Sequence, residues 1–126
     1  MLPPANRLRK EKDIKRVLSQ RTGFRSGLLI CKTADNGLDT ARFCFMVSKR
    51  ISNKAVVRNR LKRRLREAVA ENLFRVRGGK DCILIASPGL EKKVFSDLSV
   101  LVGKVLTGSR IIGSVSVAPG IITNQK

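Results

Sequence analysis

Apolar residues recur along this chain with two different periods, and the periods mark out its elements. Ile14, Val17 and Leu18 stand at i, i+3 and i+4, which puts them on one face of a short helix over residues 13–19. Residues 23–26 read as a short edge strand, and residues 28–33 as a strand with a β-branched centre. Asp35-Asn36-Gly37 signals a turn, because Asn-Gly tolerates positive φ. Residues 41–48 then alternate: Phe43, Phe45 and Val47 face one way, and Cys44, Met46 and Ser48 the other. Strands 28–33 and 41–48 are therefore expected to pair as an antiparallel hairpin.

A polar connection, 49–54, leads into a long helix over about 55–73. There Val57, Leu61, Leu65, Ala68 and Val69 gather on one side. Arg77-Gly78-Gly79-Lys80 breaks that helix. Residues 82–86 form an unbroken apolar strand, ended by Ser87-Pro88-Gly89. Residues 94–106 read as a last helix with Val94, Leu98, Leu101, Val102 and Val105 on one stripe, although Gly103 weakens it. The order is α-β-β-β-α-β-α, and its strand–helix–strand portion suggests a β-α-β crossover onto a mixed sheet. Residues 1–110 are expected to form one domain. The tail 111–126 mixes apolar residues with Gly, Ser and Pro, and is expected to be an extra strand, over 114–118, or mobile.

Charge changes the picture more than composition does. The 126 residues hold 27 Lys plus Arg against 9 Asp plus Glu, a formal charge of +18. An excess of this size repels itself and calls for a polyanion. Nucleic acid is the first expectation and an anionic membrane surface the rival. No apolar run of transmembrane length is present, and residues 1–10 lack the apolar core of a secretion signal, so a cytoplasmic location is expected. Cys31, Cys44 and Cys82 form no C-x-x-C pair and the chain has no histidine, so zinc-site spacing is missing. Three reduced, buried thiols are expected.

The basic charge concentrates between Lys54 and Arg66: seven basic side chains with no acid before Glu67. On a helix, Asn59, Lys62, Arg63 and Arg66 lie opposite the apolar side. Arg58 flanks one edge, and Arg60 and Arg64 the other. Arg58/Lys62, Lys62/Arg66 and Arg60/Arg64 are like-charge i, i+4 pairs, each destabilising by a few tenths of a kcal/mol. A merely solvated helix would intersperse glutamates. This face has the composition of a phosphate-binding surface, and its arginines offer bidentate forks.

The run from Ser48-Lys49-Arg50 through Arg58-Asn59-Arg60-Leu61-Lys62-Arg63 to Arg66 resembles the signature of the bacterial ribonuclease P protein family. Arg58-Asn59-Arg60, Lys62-Arg63 and Arg66 match it in order and spacing, a strand ending Val-Ser-Lys precedes the helix, and Arg7-Leu8 also fits. The resemblance runs from about Arg7 to Arg110. It implies an α/β sandwich (α+β) of α-β-β-β-α-β-α order, with a mixed four-stranded sheet and a left-handed β-α-β crossover. It implies a protein subunit of an RNA-catalysed endoribonuclease that matures the 5′ ends of tRNA. The implied partners are the ribonuclease P RNA and precursor tRNA, with no membrane and no obligate protein partner. Mg²⁺ would serve the RNA–protein holoenzyme, with none tightly bound by the protein.

By the same resemblance, Lys49, Arg50, Lys54, Arg58, Asn59, Arg60, Lys62, Arg63 and Arg66 would contact the catalytic RNA. Ile14, Leu18, Ile30, Lys32, Met46 and Ser48 would line a cleft for the single-stranded 5′ leader of precursor tRNA. Many family members carry aromatic residues at the positions of Ile14, Leu18 and Lys32. This chain replaces ring stacking there with aliphatic contact.

The residues themselves argue against an autonomous enzyme. Without histidine, tyrosine or tryptophan, the commonest general base is missing, and no serine sits in a G-x-S-x-G setting. Gly78-Gly79-Lys80 is too short for a P-loop. A ribosomal-type or other structural RNA-binding protein would share the charge and size. A DNA-binding helix would usually bring a dimer seam, and a membrane-surface helix an aromatic apolar face.

Overall fold

The computed structural model describes residues 2–20 and 23–110, so the tail expected over 111–126 lies outside the described residues. The element order is α1 (Glu11–Leu18), β1 (Phe24–Ser26), β2 (Leu29–Asp35), β3 (Arg42–Met46), α2 (Ala55–Glu71), β4 (Lys80–Ala86) and α3 (Phe95–Gly108). Short 3₁₀ turns at Pro4–Asn6, Leu73–Arg75 and Leu90–Lys92 join them.

The sheet runs β1-β2-β4-β3. β1 and β2 are antiparallel, as are β2 and β4, whereas β3 and β4 are parallel. The hairpin expected between strands 28–33 and 41–48 is therefore absent, because β4 lies between them. β4 is apolar on both faces and takes the centre, where both faces can be buried. The Asn36-Gly37 turn does form, with Gly37 at φ 71°. Its Asn36 side chain fastens it to β4 by donating to Asp81 Oδ1 at 2.9 Å.

One face of the sheet carries the larger core. Leu29, Cys31, Phe43, Cys82, Leu84 and Ala86 pack beneath α2 and α3. The two helices bury the same spacing: Leu61, Leu65, Ala68 and Val69 from α2, and Leu98, Val102, Val105 and Leu106 from α3. The stripe expected on α3 shifts at its ends. Val94 precedes the helix and is exposed, while Leu106 takes a core position. The other face carries a smaller cluster of Leu8, Val17, Ala34 and Ile83 under α1, with Ile14, Leu18, Cys44 and Ile85 partly buried around it. Cys31 and Cys82 are buried free thiols, but Cys44 is only half-buried.

The N-terminal arm protects the outer edge of β3. Leu2 is buried in the larger core. The Leu8 amide donates to the Phe43 carbonyl at 2.8 Å, and Asn6 Nδ2 to the Ala41 carbonyl at 2.7 Å.

Asp81 is the buried charge of the described residues, with 0% exposure. Arg42 donates to it through Nε and a terminal nitrogen, both at 2.7 Å, and Arg16 through a terminal nitrogen at 2.5 Å. Burial alone would push this carboxyl up. The Arg42 and Asn36 hydrogen bonds and the charges of Arg42 and Arg16 outweigh it and hold the carboxyl below the usual range. Arg16 also donates to the Asp35 carbonyl at 2.7 Å, so α1 is tied to the sheet's lower end.

Removing this carboxylate leaves Arg42 and Arg16 without their counter-charge. Asp81→Asn should cost roughly 3–5 kcal/mol in urea denaturation near neutral pH. The wild-type advantage is complete above the ordinary aspartate value of about 3.9 and is lost as pH falls through the depressed folded value. A loss under about 1 kcal/mol, or the same acid dependence in both proteins, would remove Asp81 as the clamp.

Candidate nucleic-acid interface

The basic helix begins after a loop pinned by one apolar anchor. Ile51 is buried in the larger core, and its amide donates to the Ser48 carbonyl at 3.0 Å. Lys49, Arg50 and Lys54 are exposed around it. The α2 N-terminus has no side-chain cap and no acid in its first turn. Its free amides and positive dipole end therefore face solvent beside lysines, an arrangement that favours an anion.

Along α2, Asn59, Arg60 and Arg63 are exposed, and Lys62 and Arg66 are half-buried at one edge. Arg58 differs from its neighbours. It is half-buried, and its terminal nitrogen donates to the Ser52 carbonyl at 2.8 Å, closing the loop onto the helix.

Five ion pairs form among the described residues: Lys15–Glu11, Arg16–Asp81, Arg42–Asp13, Arg42–Asp81 and Lys80–Asp35. All involve α1, the sheet's lower end, or both. Among the described residues, no basic side chain of the 49–66 segment has a carboxylate partner.

The fold adds two cations that the sequence placed only on an arm. Arg7 and Arg9 meet Lys62, Arg63 and Arg66 around a cavity of about 700 Å³ between the arm, β3 and α2. Leu2, Leu8, Phe43, Cys44 and Phe45 form its floor, and Glu67 sits on its rim. Burial pushes the Cys44 thiol up, so the floor stays neutral.

On the α1 side the sheet register sets the second surface. Cα pairing aligns Ile30, Ile85 and Met46 in one transverse row, and Lys32, Ile83 and Cys44 in the next. α1 covers the rows nearer Asp81. The Ile30–Ile85–Met46 row is left partly open, with Met46 38% exposed. Ile14 and Leu18 border this surface half-buried, and Ser48 is exposed just beyond Met46. Lys32 Nζ donates to the Leu18 and Gln20 carbonyls at 3.1 Å each, so it caps α1 at the negative end of its dipole.

Ile85 was not among the residues expected for this cleft. The two-residue period of a strand puts it on the face of Ile83, but the unbroken apolar run 82–86 does not mark which face is left open. Among the described residues, no group of three or more His, Cys, Asp or Glu side chains could hold a metal ion. Among the described residues, no helix is long and apolar enough to cross a membrane.

Known proteins share this architecture. A family model described as Ribonuclease P matches residues 2–108. The ribonuclease P protein component of Roseiflexus castenholzii is 37% identical over 117 residues, spanning 91% of this chain and 95% of its own. That of Alkaliphilus oremlandii is 40% identical over 81 residues, spanning 64% and 70%. A solved mutant of the Staphylococcus aureus RNase P protein, defective in mRNA degradation activity, aligns with a TM-score of 0.78 at 25% identity, over 86% of this chain and 91% of that one. The RNase P protein from Thermotoga maritima aligns at 0.73 and 25%, over 85% and 98%.

The geometry separates Arg58 from its exposed neighbours. Arg58→Ala should lower stability by about 1 kcal/mol in urea denaturation, through the lost bond to Ser52. Arg63→Ala should leave stability within about 0.5 kcal/mol. Equal effects from the two would deny Arg58 its part in holding the loop.

Proposed function

The chain belongs to the ribonuclease P protein family, whose members are the protein subunit of the ribonucleoprotein enzyme that processes tRNA 5′ ends, and from that premise we propose how its surfaces divide the work. Residues 1–110 act as one cytoplasmic RNA-binding domain, its two apolar clusters sharing a single sheet. Its RNA partner within the enzyme is the ribonuclease P RNA. Lys49, Arg50, Lys54, Asn59, Arg60, Lys62, Arg63 and Arg66 contact that RNA, joined by Arg7 and Arg9, while Arg58 positions the loop. The observation that carries this reading is a helix face whose cations have no carboxylate partner among the described residues, where the ion pairs all lie elsewhere.

The open row of Ile30, Ile85 and Met46, bordered by Ile14, Leu18, Lys32 and Ser48, takes the single-stranded 5′ leader of precursor tRNA. Unstacked bases can lie against this apolar strip, whereas a duplex keeps its bases turned inward. The aliphatic lining gives less than the roughly 1–3 kcal/mol per base that stacking on rings provides.

Mg²⁺ serves the holoenzyme through the RNA. The protein's carboxylates do not fit a cradle for it: Asp13, Asp35 and Asp81 are held by arginine or lysine, and the rest are dispersed. What this chain supplies is charge and position. It screens repulsion between two polyanions and holds the leader, so its benefit is greatest where Mg²⁺ is scarce.

The test is cleavage of a precursor tRNA by a bacterial ribonuclease P RNA at low Mg²⁺, with and without the protein. A large rate increase is expected, with a log–log salt slope for RNA binding of roughly −3.5 to −4.5 if about five phosphates are contacted. Met46→Glu should remove much of the gain for a substrate carrying a leader while leaving affinity for the catalytic RNA unchanged. Tight RNA binding with no rate increase would point instead to a structural RNA-binding role.

A further inference from the structure

α2 has a second basic edge, of which the RNA-contacting surface above includes only Lys54 and Arg60. Lys54, Val57, Arg60 and Arg64 follow one another along it, on the other side of the helix crest from Lys62 and Arg66. They face the loop between β4 and α3 across a cavity of about 700 Å³, whose far wall is Glu91, Lys92, Lys93, Val94 and Phe95.

This wall is held in place from beneath. Gly89 turns the chain at φ 105°, and the 3₁₀ turn Leu90–Lys92 follows, with Leu90 buried in the larger core. The turn points Lys92 and Lys93 outward, both exposed. Arg64 reaches across the groove, with a terminal nitrogen 3.5 Å from the Lys93 carbonyl.

The groove holds five cations and one acid. Glu91 is turned into its own loop, where its carboxylate accepts the Gly89 amide at 2.9 Å. Among the described residues, none of the five cations has a carboxylate within ion-pair distance. Five unneutralised cations along one channel repel one another, and a chain of phosphates relieves that repulsion. Val94, 60% exposed beside Phe95, adds an apolar contact of the kind a sugar or base edge can use.

We propose that this groove is a second phosphate track, taking a strand of the ribonuclease P RNA distinct from the strand held between the N-terminal arm and α2. The two tracks flank one helix, so the two strands lie at least a helix diameter apart, about 10 Å. α2 is thus seated between two RNA backbones rather than laid against one. The inference rests on the reading that this chain binds the ribonuclease P RNA, and it adds Arg64, Lys92 and Lys93 to the residues that do so.

The test compares three variants of the full chain for binding to a bacterial ribonuclease P RNA across a salt series, with hydroxyl-radical footprinting of the RNA. Lys92→Gln/Lys93→Gln removes the second track. Lys62→Gln/Arg63→Gln removes the first. Arg75→Gln/Lys104→Gln, on the β1–α3 side, removes the same charge from neither.

The first two variants should each make the log–log salt slope shallower by about 1.4 to 1.8, the value for two lost phosphate contacts. The control should change it by less than about 0.5. Each track variant should lose protection over a different RNA segment. An unchanged slope for Lys92→Gln/Lys93→Gln, beside a shallower one for Lys62→Gln/Arg63→Gln, would overturn the second track and leave the RNA-binding reading standing. Loss of the same footprint by both variants would overturn it too. No change in either track variant would remove the RNA-binding reading itself.

Discussion

Asp81 is the constraint from which the arrangement of both surfaces follows. Its carboxylate enters the interior at the start of the central strand, and it is held there by side chains from three separate parts of the chain: Arg16 of α1, Arg42 of β3 and Asn36 of the turn after β2. A buried pair of this kind is weak evidence for net stability, because desolvation offsets much of the attraction. What it supplies is position. Arg16 ties α1 to the lower end of the sheet, and an eight-residue helix is only about 12 Å long. α1 therefore cannot cover the whole face. The row of Ile30, Ile85 and Met46 stays open because the clamp sits at the opposite end.

The same network explains the charge asymmetry of the molecule. Of nine acids, Glu11, Asp13, Asp35 and Asp81 are engaged in ion pairs at α1 and the sheet's lower end. α2 is left with its cations uncompensated, and its i, i+4 like-charge pairs weaken it as an isolated helix. Burial of Leu61, Leu65, Ala68 and Val69 holds it in place regardless. The helix owes its existence to one face, and the other face is free to be unfavourable until a polyanion arrives. Stability and binding thus reside on opposite sides of the same seventeen residues.

How much of this could be read in advance depended on whether the signal was local. α2 was legible because both its apolar and its basic stripe recur with the helical period inside one segment. The element order was legible for the same reason. The β2–β3 hairpin was expected and is absent, because adjacency in sequence and an Asn-Gly turn say nothing about a strand arriving forty residues later that is apolar on both faces. That strand hid Ile85 as well: an unbroken apolar run marks burial without marking which side chain stops at an open row. Asp81 gave no local sign of being buried, since its partners stand 39, 45 and 65 residues away. Val94 fell on the expected α3 stripe but lies one residue before the helix, where periodicity no longer governs direction.

Phosphates are identical on catalytic RNA and substrate, so cations alone give affinity without telling the two apart. Discrimination has to come from the shape and polarity of what lies between the cations. Around α2 the cations flank a convex helix, which suits backbones held apart from one another. On the α1 side the sheet offers a narrow apolar row with Arg25 beside Ile30 at its β1 end, and Lys32 of the next row is occupied by the Leu18 and Gln20 carbonyls. A surface of that kind gives a duplex little to grip and gives an extended single strand a place for its bases. On this reading the molecule needs no catalytic group to be selective. In the proposed division, one face would recognise backbones by charge and the other unpaired bases by apolar contact, and the buried carboxylate that anchors α1 at the far end of the sheet leaves the second face its open row.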